Sequence, residues 1–155
     1  MKDLFIDNNI ASRFSNPMDK EYKILIDWLL AYDKNNLDNC AFLVLSKKLI
    51  GEYFSSAREA NSNTCIHVII NKLTIEGRRL FITNDQIKEF QTTHYSKKVL
   101  KKLRSNNKDR EHIPLILLSN RKFALSYDKN FIYDLTHFSG FTVIAKKRPE
   151  LIPYK

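Results

Sequence analysis

The sequence predicts an α/β domain with a mostly parallel sheet, and three observations carry the prediction. Short apolar runs alternate with segments whose apolar residues recur at helical spacing. The run "CAFLVLS", residues 40–46, is apolar without interruption, the mark of a strand covered on both faces. A chain of 155 residues, 43% hydrophobic and 28% charged, suits one folded domain with one core.

The elements follow in order. "DLFID" reads as a short buried strand that ends in a carboxylate, Asp7. In "DKEYKILIDWLLAYD" the residues Leu25, Trp28, Leu29 and Tyr32 sit at helical spacing. This helix, over 20–33, is apolar around much of its circumference, which serves either the core or a homodimer interface. After the second strand, Ser46 can cap a helix whose apolar face is Leu49, Ile50, Tyr53, Phe54 and Ala57. Ile66, Ile69, Ile70 and Leu73 form the stripe of another helix, and Gly77 can terminate it. "RRLFIT" is the third strand, and a helix starts at Asn84 or Asp85. In "YSKKVLKKLR" the apolar Tyr95, Val99, Leu100 and Leu103 share one side, and five basic residues take the other. "REHIPLILLSN" is helical, interrupted by Pro114, and "KFALSY" is the fourth strand. A short helix with Phe131, Leu135 and Phe138 ends at Gly140, and "FTVIA" closes as the fifth strand. Residues 1–155 contain no repeat, linker or low-complexity tract, so they read as a single domain. The segment 146–155, "KKRPELIPYK", is expected to be loosely attached.

Composition excludes several classes. The three glycines, at 51, 77 and 140, are too dispersed for a phosphate-cradling loop, which argues against a Rossmann dinucleotide site and a Walker-type nucleotide site. The four histidines lack zinc spacing. No apolar run spans a bilayer, and "MKDLFIDNN", interrupted by two acids, does not read as a signal peptide. Cys40 and Cys65 read as ordinary thiols of a reducing, cytoplasmic protein. The net charge of +9 is uneven: residues 1–40 sum to −2, whereas residues 97–110 sum to +6. A local excess of this kind attracts polyanions, or serves simply as a solvated face that helps solubility.

Two strands, then, end in acids, at Asp7 and Asp128. Ligands of an open parallel sheet bind beyond the carboxyl ends of its strands. If the first and fourth strands are neighbours, these carboxylates share one crevice, with Glu52 and Asp109 placed to lean in. Crowded like charges resist ionisation, and carboxylate oxygens are the natural ligands of Mg²⁺ and Mn²⁺. Each acid also has a simpler use. Asp7 can open a turn with Asn8 and Asn9, Asp109 and Asp128 can cap helices, and Glu52 can pair with Lys48.

With these residues in this order the chain resembles the PIN-domain nucleases, in their small single-domain form. "LFIDNNI" resembles the family's opening strand and first acid, "LVLSKKLIGEY" the second strand and the helix bearing its Glu, and "DREHIPLILLS" the segment of its third acid. "ALSYDKNF" resembles the family's closing signature, with Ser126, Asp128, Asn130 and Phe131 in place. Two departures stand out: Pro114 falls where the family continues a smooth helix, and Asn130 replaces an acid that some members carry. The resemblance implies a three-layer α/β/α sandwich with strand order 3-2-1-4-5. It implies Mg²⁺- or Mn²⁺-dependent hydrolysis of single-stranded RNA, and for many stand-alone members a protein antitoxin. Catalysis and metal binding would fall to Asp7, Glu52, Asp109 and Asp128. Ser126, Asn130 and Asn8 would hold those ligands or water in place. Lys97, Lys98, Lys101, Lys102 and Arg104 would hold the phosphate backbone. Two rivals use the same scaffold: an RNA- or protein-binding module that does not cut, and a DNA nuclease.

Overall fold

The computed structural model describes residues 1–56 and 62–155. Ala57, expected on the apolar face of the helix after the second strand, lies outside the described residues. In chain order the strands and helices are β1 (Lys2–Ile6), α1 (Asn8–Ala11), α2 (Lys20–Leu30), β2 (Ala41–Leu45), α3 (Lys47–Ser56), α4 (Ile66–Ile75), β3 (Arg79–Phe81), α5 (Asn84–His94), α6 (Lys97–Lys102), α7 (Asn107–Arg110), α8 (Ile113–Leu118), β4 (Phe123–Leu125), α9 (Lys129–Thr136) and β5 (Ile144–Lys146).

The five strands form one sheet in the order β3-β2-β1-β4-β5, and every pairing is parallel. The expected architecture is therefore present, a three-layer α/β/α sandwich. β2 is buried at all five positions, as its uninterrupted apolar run requires. α2 and α4 pack together against the sheet, and α5 and α8 pack together as a second group. The first and fourth strands are neighbours, with Phe5 opposite Ala124 and Ile6 opposite Leu125. That adjacency brings the ends of β1 and β4 to one crevice.

Local chemistry sets the helix ends. The Ser46 hydroxyl accepts from the Leu49 amide at 3.2 Å, as expected of a cap. Thr83 and Gln86 form a reciprocal capping box that starts α5. α4 ends where Gly77 takes φ +70, a conformation open to glycine at little cost. Pro114 does not kink a continuous helix. It sits in the first turn of α8, where its missing N–H costs nothing. The expected single helix is thus split into α7 and α8, and Asp109 falls in the earlier piece. Asp109 is not the cap of that piece, because the Asn106 side chain accepts from the Asp109 amide.

Two expectations are corrected. β5 begins at Ile144, later than the run from Phe141, because Phe141 is drawn into an aromatic cluster with Phe90, His94 and Phe138. Residues 146–155 are not loose. Lys146 belongs to β5, Ile152 and Tyr154 are buried, and Arg121 donates to the carbonyls of Tyr154 (2.7 Å) and Pro153 (2.5 Å). Arg148 grips Asp19, the cap of α2, through both guanidinium nitrogens at 2.6 and 3.1 Å. The apolar face of α2 is used inside the chain: Tyr22, Leu25, Ile26 and Leu29 are buried, and Trp28 packs edge-on to Tyr154 with centroids 4.8 Å apart. The observation that motivated a homodimer interface is met by the chain's own C-terminal segment. Among the described residues no helix is long and apolar enough to cross a membrane.

Candidate active site at the strand ends

Asp7 follows β1 directly, and its amide donates to the Leu125 carbonyl at 2.8 Å, extending the β1–β4 pairing by one residue. Its carboxylate therefore emerges at the carboxyl edge of the sheet. Fully buried Ser126 stands beside it, fixed by its own amide on the Lys146 carbonyl of β5 at 3.1 Å. The Ser126 hydroxyl donates to Asp7 Oδ2 at 2.5 Å and accepts from the Asp128 amide at 3.1 Å. One buried hydroxyl thus sets the relative position of two acids.

Asn9 completes this corner. Its Nδ2 donates to Asp7 Oδ2 at 3.1 Å, and its Oδ1 accepts from the Tyr127 amide at 3.1 Å. The amide expected in this role was Asn8, but Asn8 Oδ1 accepts instead from Ser56 on α3 at 2.7 Å. Asp128 caps α9, accepting from the amides of Asn130 (2.8 Å) and Phe131 (3.1 Å) through Oδ1. The cap expected of it is present, and it occupies one of the two carboxylate oxygens. Asn130 contributes through its backbone; its exposed side chain makes no hydrogen bond among the described residues.

Three of the four acids feel one another. Burial pushes Asp7 above the ordinary carboxyl range, against the pull of the Ser126 hydroxyl, the nearby His112 and the amides of Asn8 and Asn9. Asp109 is pushed up to about 6, first by burial, then by the charges of Asp7 and Asp128, with His112 opposing. The end of β1, α7 and the start of α9 thus bring Asp7, Asp109 and Asp128 near enough for the charges of Asp7 and Asp128 to be felt at Asp109.

Glu52 does not join them directly. Its carboxylate meets His112 Nε2 at 2.9 Å. Burial raises its pKa, but His112, Lys48 and Lys108 together outweigh that and hold it below the usual range. Nor does it pair with Lys48, whose ammonium bonds Glu111 at 2.7 Å. His112 is buried against Phe5, with ring centroids 6.0 Å apart, and its Nδ1 has no partner among the described residues.

The donor types suit a hard divalent cation: the charges of Asp7 and Asp128 are felt at Asp109, no thiol is among them, and a hydroxyl and an amide fix Asp7. The geometry is looser than a finished cage. Among the described residues no group of three or more His, Cys, Asp or Glu side chains is placed to hold a metal ion. No family model, curated protein or solved structure matches the chain.

On α6 and the loop after it, Lys97, Lys98, Lys101, Lys102 and Arg104 are all exposed, while Tyr95, Val99, Leu100 and Leu103 are half-buried. The sidedness expected from the sequence is present, and none of the five cations forms an ion pair among the described residues. Asn9 and His112 are the residues that sequence reasoning missed. Asn9 had a local signal, an amide two residues after a strand-end acid. His112 had none, because its partner Glu52 lies 60 residues away.

Proposed function

We propose that the protein is a metal-dependent endoribonuclease of the PIN-domain type. The observation that supports this best is the elevated Asp109, pushed up to about 6 with the charges of Asp7 and Asp128 among its causes. A carboxylate cluster is a cost to the fold unless something cationic relieves it, and a protein that only holds a polyanion gains nothing from it.

In this reading Asp7, Asp128 and Asp109 hold Mg²⁺ or Mn²⁺, which when bound supplies Lewis acidity and an acidified water at the scissile phosphate. The chain's own residues do the positioning. Ser126 and Asn9 hold Asp7 Oδ2, leaving the other oxygen for a ligand. The Asp128 cap bond fixes that carboxylate against α9. Glu52 anchors His112 at the side of the cluster, one step removed from the reacting phosphate. The five exposed cations hold the backbone of the strand without reading its sequence. The cytoplasm and a protein antitoxin belong to the same proposal.

A non-cutting scaffold is the second reading, favoured by the absence of a ready three-ligand group among the described residues and by the use of Glu52 elsewhere. One experiment separates them. Matched single-stranded RNA and DNA are incubated with wild type and Asp7→Asn, in Mn²⁺ and in chelator. The expected result is cutting of RNA by wild type in Mn²⁺ alone. Cutting of DNA instead would move the reading to a DNA nuclease, and no metal-dependent cutting of either would establish the scaffold.

A further inference from the structure

The end of α5, α6 with the residues after it, and α9 line a cavity of about 620 Å³ that includes none of the four acids, walled by Val99, Lys102, Arg104, Tyr133, His137 and Phe138 among others. Its size falls in the range of small-ligand sites. One wall is a stack of three planar groups. The Arg104 guanidinium carbon lies 3.4 Å from the Tyr133 ring centroid. The rings of Tyr133 and His137 are nearly parallel, with centroids 3.9 Å apart and planes 15° from each other. His137 is exposed, and its Nδ1 is tied to the Tyr133 carbonyl at 2.9 Å, so the ring is held in place with one face against Tyr133 and the other open.

The rest of the pocket is built to hold this wall. Asp134 is buried, and its carboxylate accepts from the amides of Arg104 and Ser105 and from the Ser105 hydroxyl, at 2.5 to 3.0 Å. Its charge is satisfied inward by loop donors. The charge left outward is positive: Lys102 and the Arg104 guanidinium carry no ion pair among the described residues. An exposed aromatic ring beside cations that are unpaired among the described residues forms a general platform for an unpaired base and its phosphates. The pocket's residues lie close to the acids along the chain. Tyr133 is five residues beyond Asp128 on α9, roughly 7.5 Å along the axis at 1.5 Å per residue. Arg104 precedes Asp109 by the same number of residues.

We propose that this cavity is a nucleotide subsite, in which an unpaired base stacks on the open face of His137 at the end of the Arg104–Tyr133–His137 ladder while Lys102 and Arg104 meet its phosphates. The proposal rests on the proposed function for the choice of RNA and names where the strand is held outside the crevice. Purely ionic capture of an acidic partner is the competing outcome.

The test is fluorescence anisotropy of a labelled ten-residue oligoadenylate in chelator, with inorganic polyphosphate measured by competition. His137 is exposed, so His137→Ala leaves the core untouched. It is expected to weaken oligoadenylate about tenfold, within the range for loss of one stacked base, and to leave polyphosphate unchanged. Arg104→Ala is expected to weaken both. Equal affinity of wild type and His137→Ala for oligoadenylate would overturn the subsite, as would an equal loss for polyphosphate. Base-dependent binding without cutting in Mn²⁺ supports the pocket and removes the nuclease. Cutting without base-dependent binding does the reverse.

Discussion

A carboxyl raised above its unfolded pKa destabilises the fold once it ionises, and Asp109 is the clearest instance here. Its pKa is about 6 in the fold against a model-compound value of 3.8. Between those values the folded state binds more protons than the unfolded state, so this group's contribution to stability falls as pH rises. Above about pH 6 the penalty is fully present, and below about pH 4 it is gone. In chelator, Asp109→Asn is therefore expected to melt higher than wild type at pH 7, with the gap closing as pH is lowered through that window. Melting curves at matched pH check this. A gap of constant size would mean that the asparagine acts by packing, not by charge. At this scale the acids were legible in the sequence, since Asp7 and Asp128 visibly end apolar runs. Which neighbours hold them was not. Asn8 and Asn9 are indistinguishable in composition, and only the turn of α1 decides that Asn9 faces Asp7 while Asn8 faces Ser56.

Among the elements, the C-terminal segment shows how short patterns escape notice. Along Leu151, Ile152, Pro153 and Tyr154 exposure alternates, with Ile152 and Tyr154 buried and the other two exposed. Four residues with prolines and charges nearby are too few to establish a period, so the segment read as loose. Its burial has a price if removed. Truncation after Lys147 deletes three buried residues, Pro149 and the larger Ile152 and Tyr154, and strips Arg148 from the α2 cap. At about 1.5–3 kcal/mol for each large apolar side chain, the loss is expected to be roughly 3–6 kcal/mol. Urea denaturation measures it, and a truncated chain as stable as the whole would show that the segment merely lies on the surface. Pro114 is the opposite case. The residue type was conspicuous, and its consequence, a late start for α8, follows from the missing donor.

Across the whole molecule, charge is arranged by region. Asp7 and Asp128 stand at the ends of neighbouring strands, and cations unpaired among the described residues stand exposed on α6 and the loop after it. Each phosphate contact with a single strand changes the slope of log affinity against log salt by about 0.7. Replacing Lys97, Lys98, Lys101 and Lys102 together by alanine is expected to make that slope shallower by up to about 3. Oligonucleotide titrations between low and moderate salt provide the measurement. An unchanged slope would assign these lysines to solvent alone. The sidedness of this face was readable because a helix maps sequence onto direction with a fixed period.

The sequence by itself determined the alternation of strands and helices, the uninterrupted burial of the second strand, the acids at two strand ends and the basic side of α6. All of these are local, since periodicity and run length are properties of neighbouring residues. The tertiary structure alone decided that β4 lies beside β1, that Asp109 rises toward neutrality in the company of Asp7 and Asp128, and that Glu52 turns to His112. It also closed the tail onto α2. These outcomes depend on contacts between residues tens of positions apart, and on burial, which changes the cost of charge only after the chain has folded.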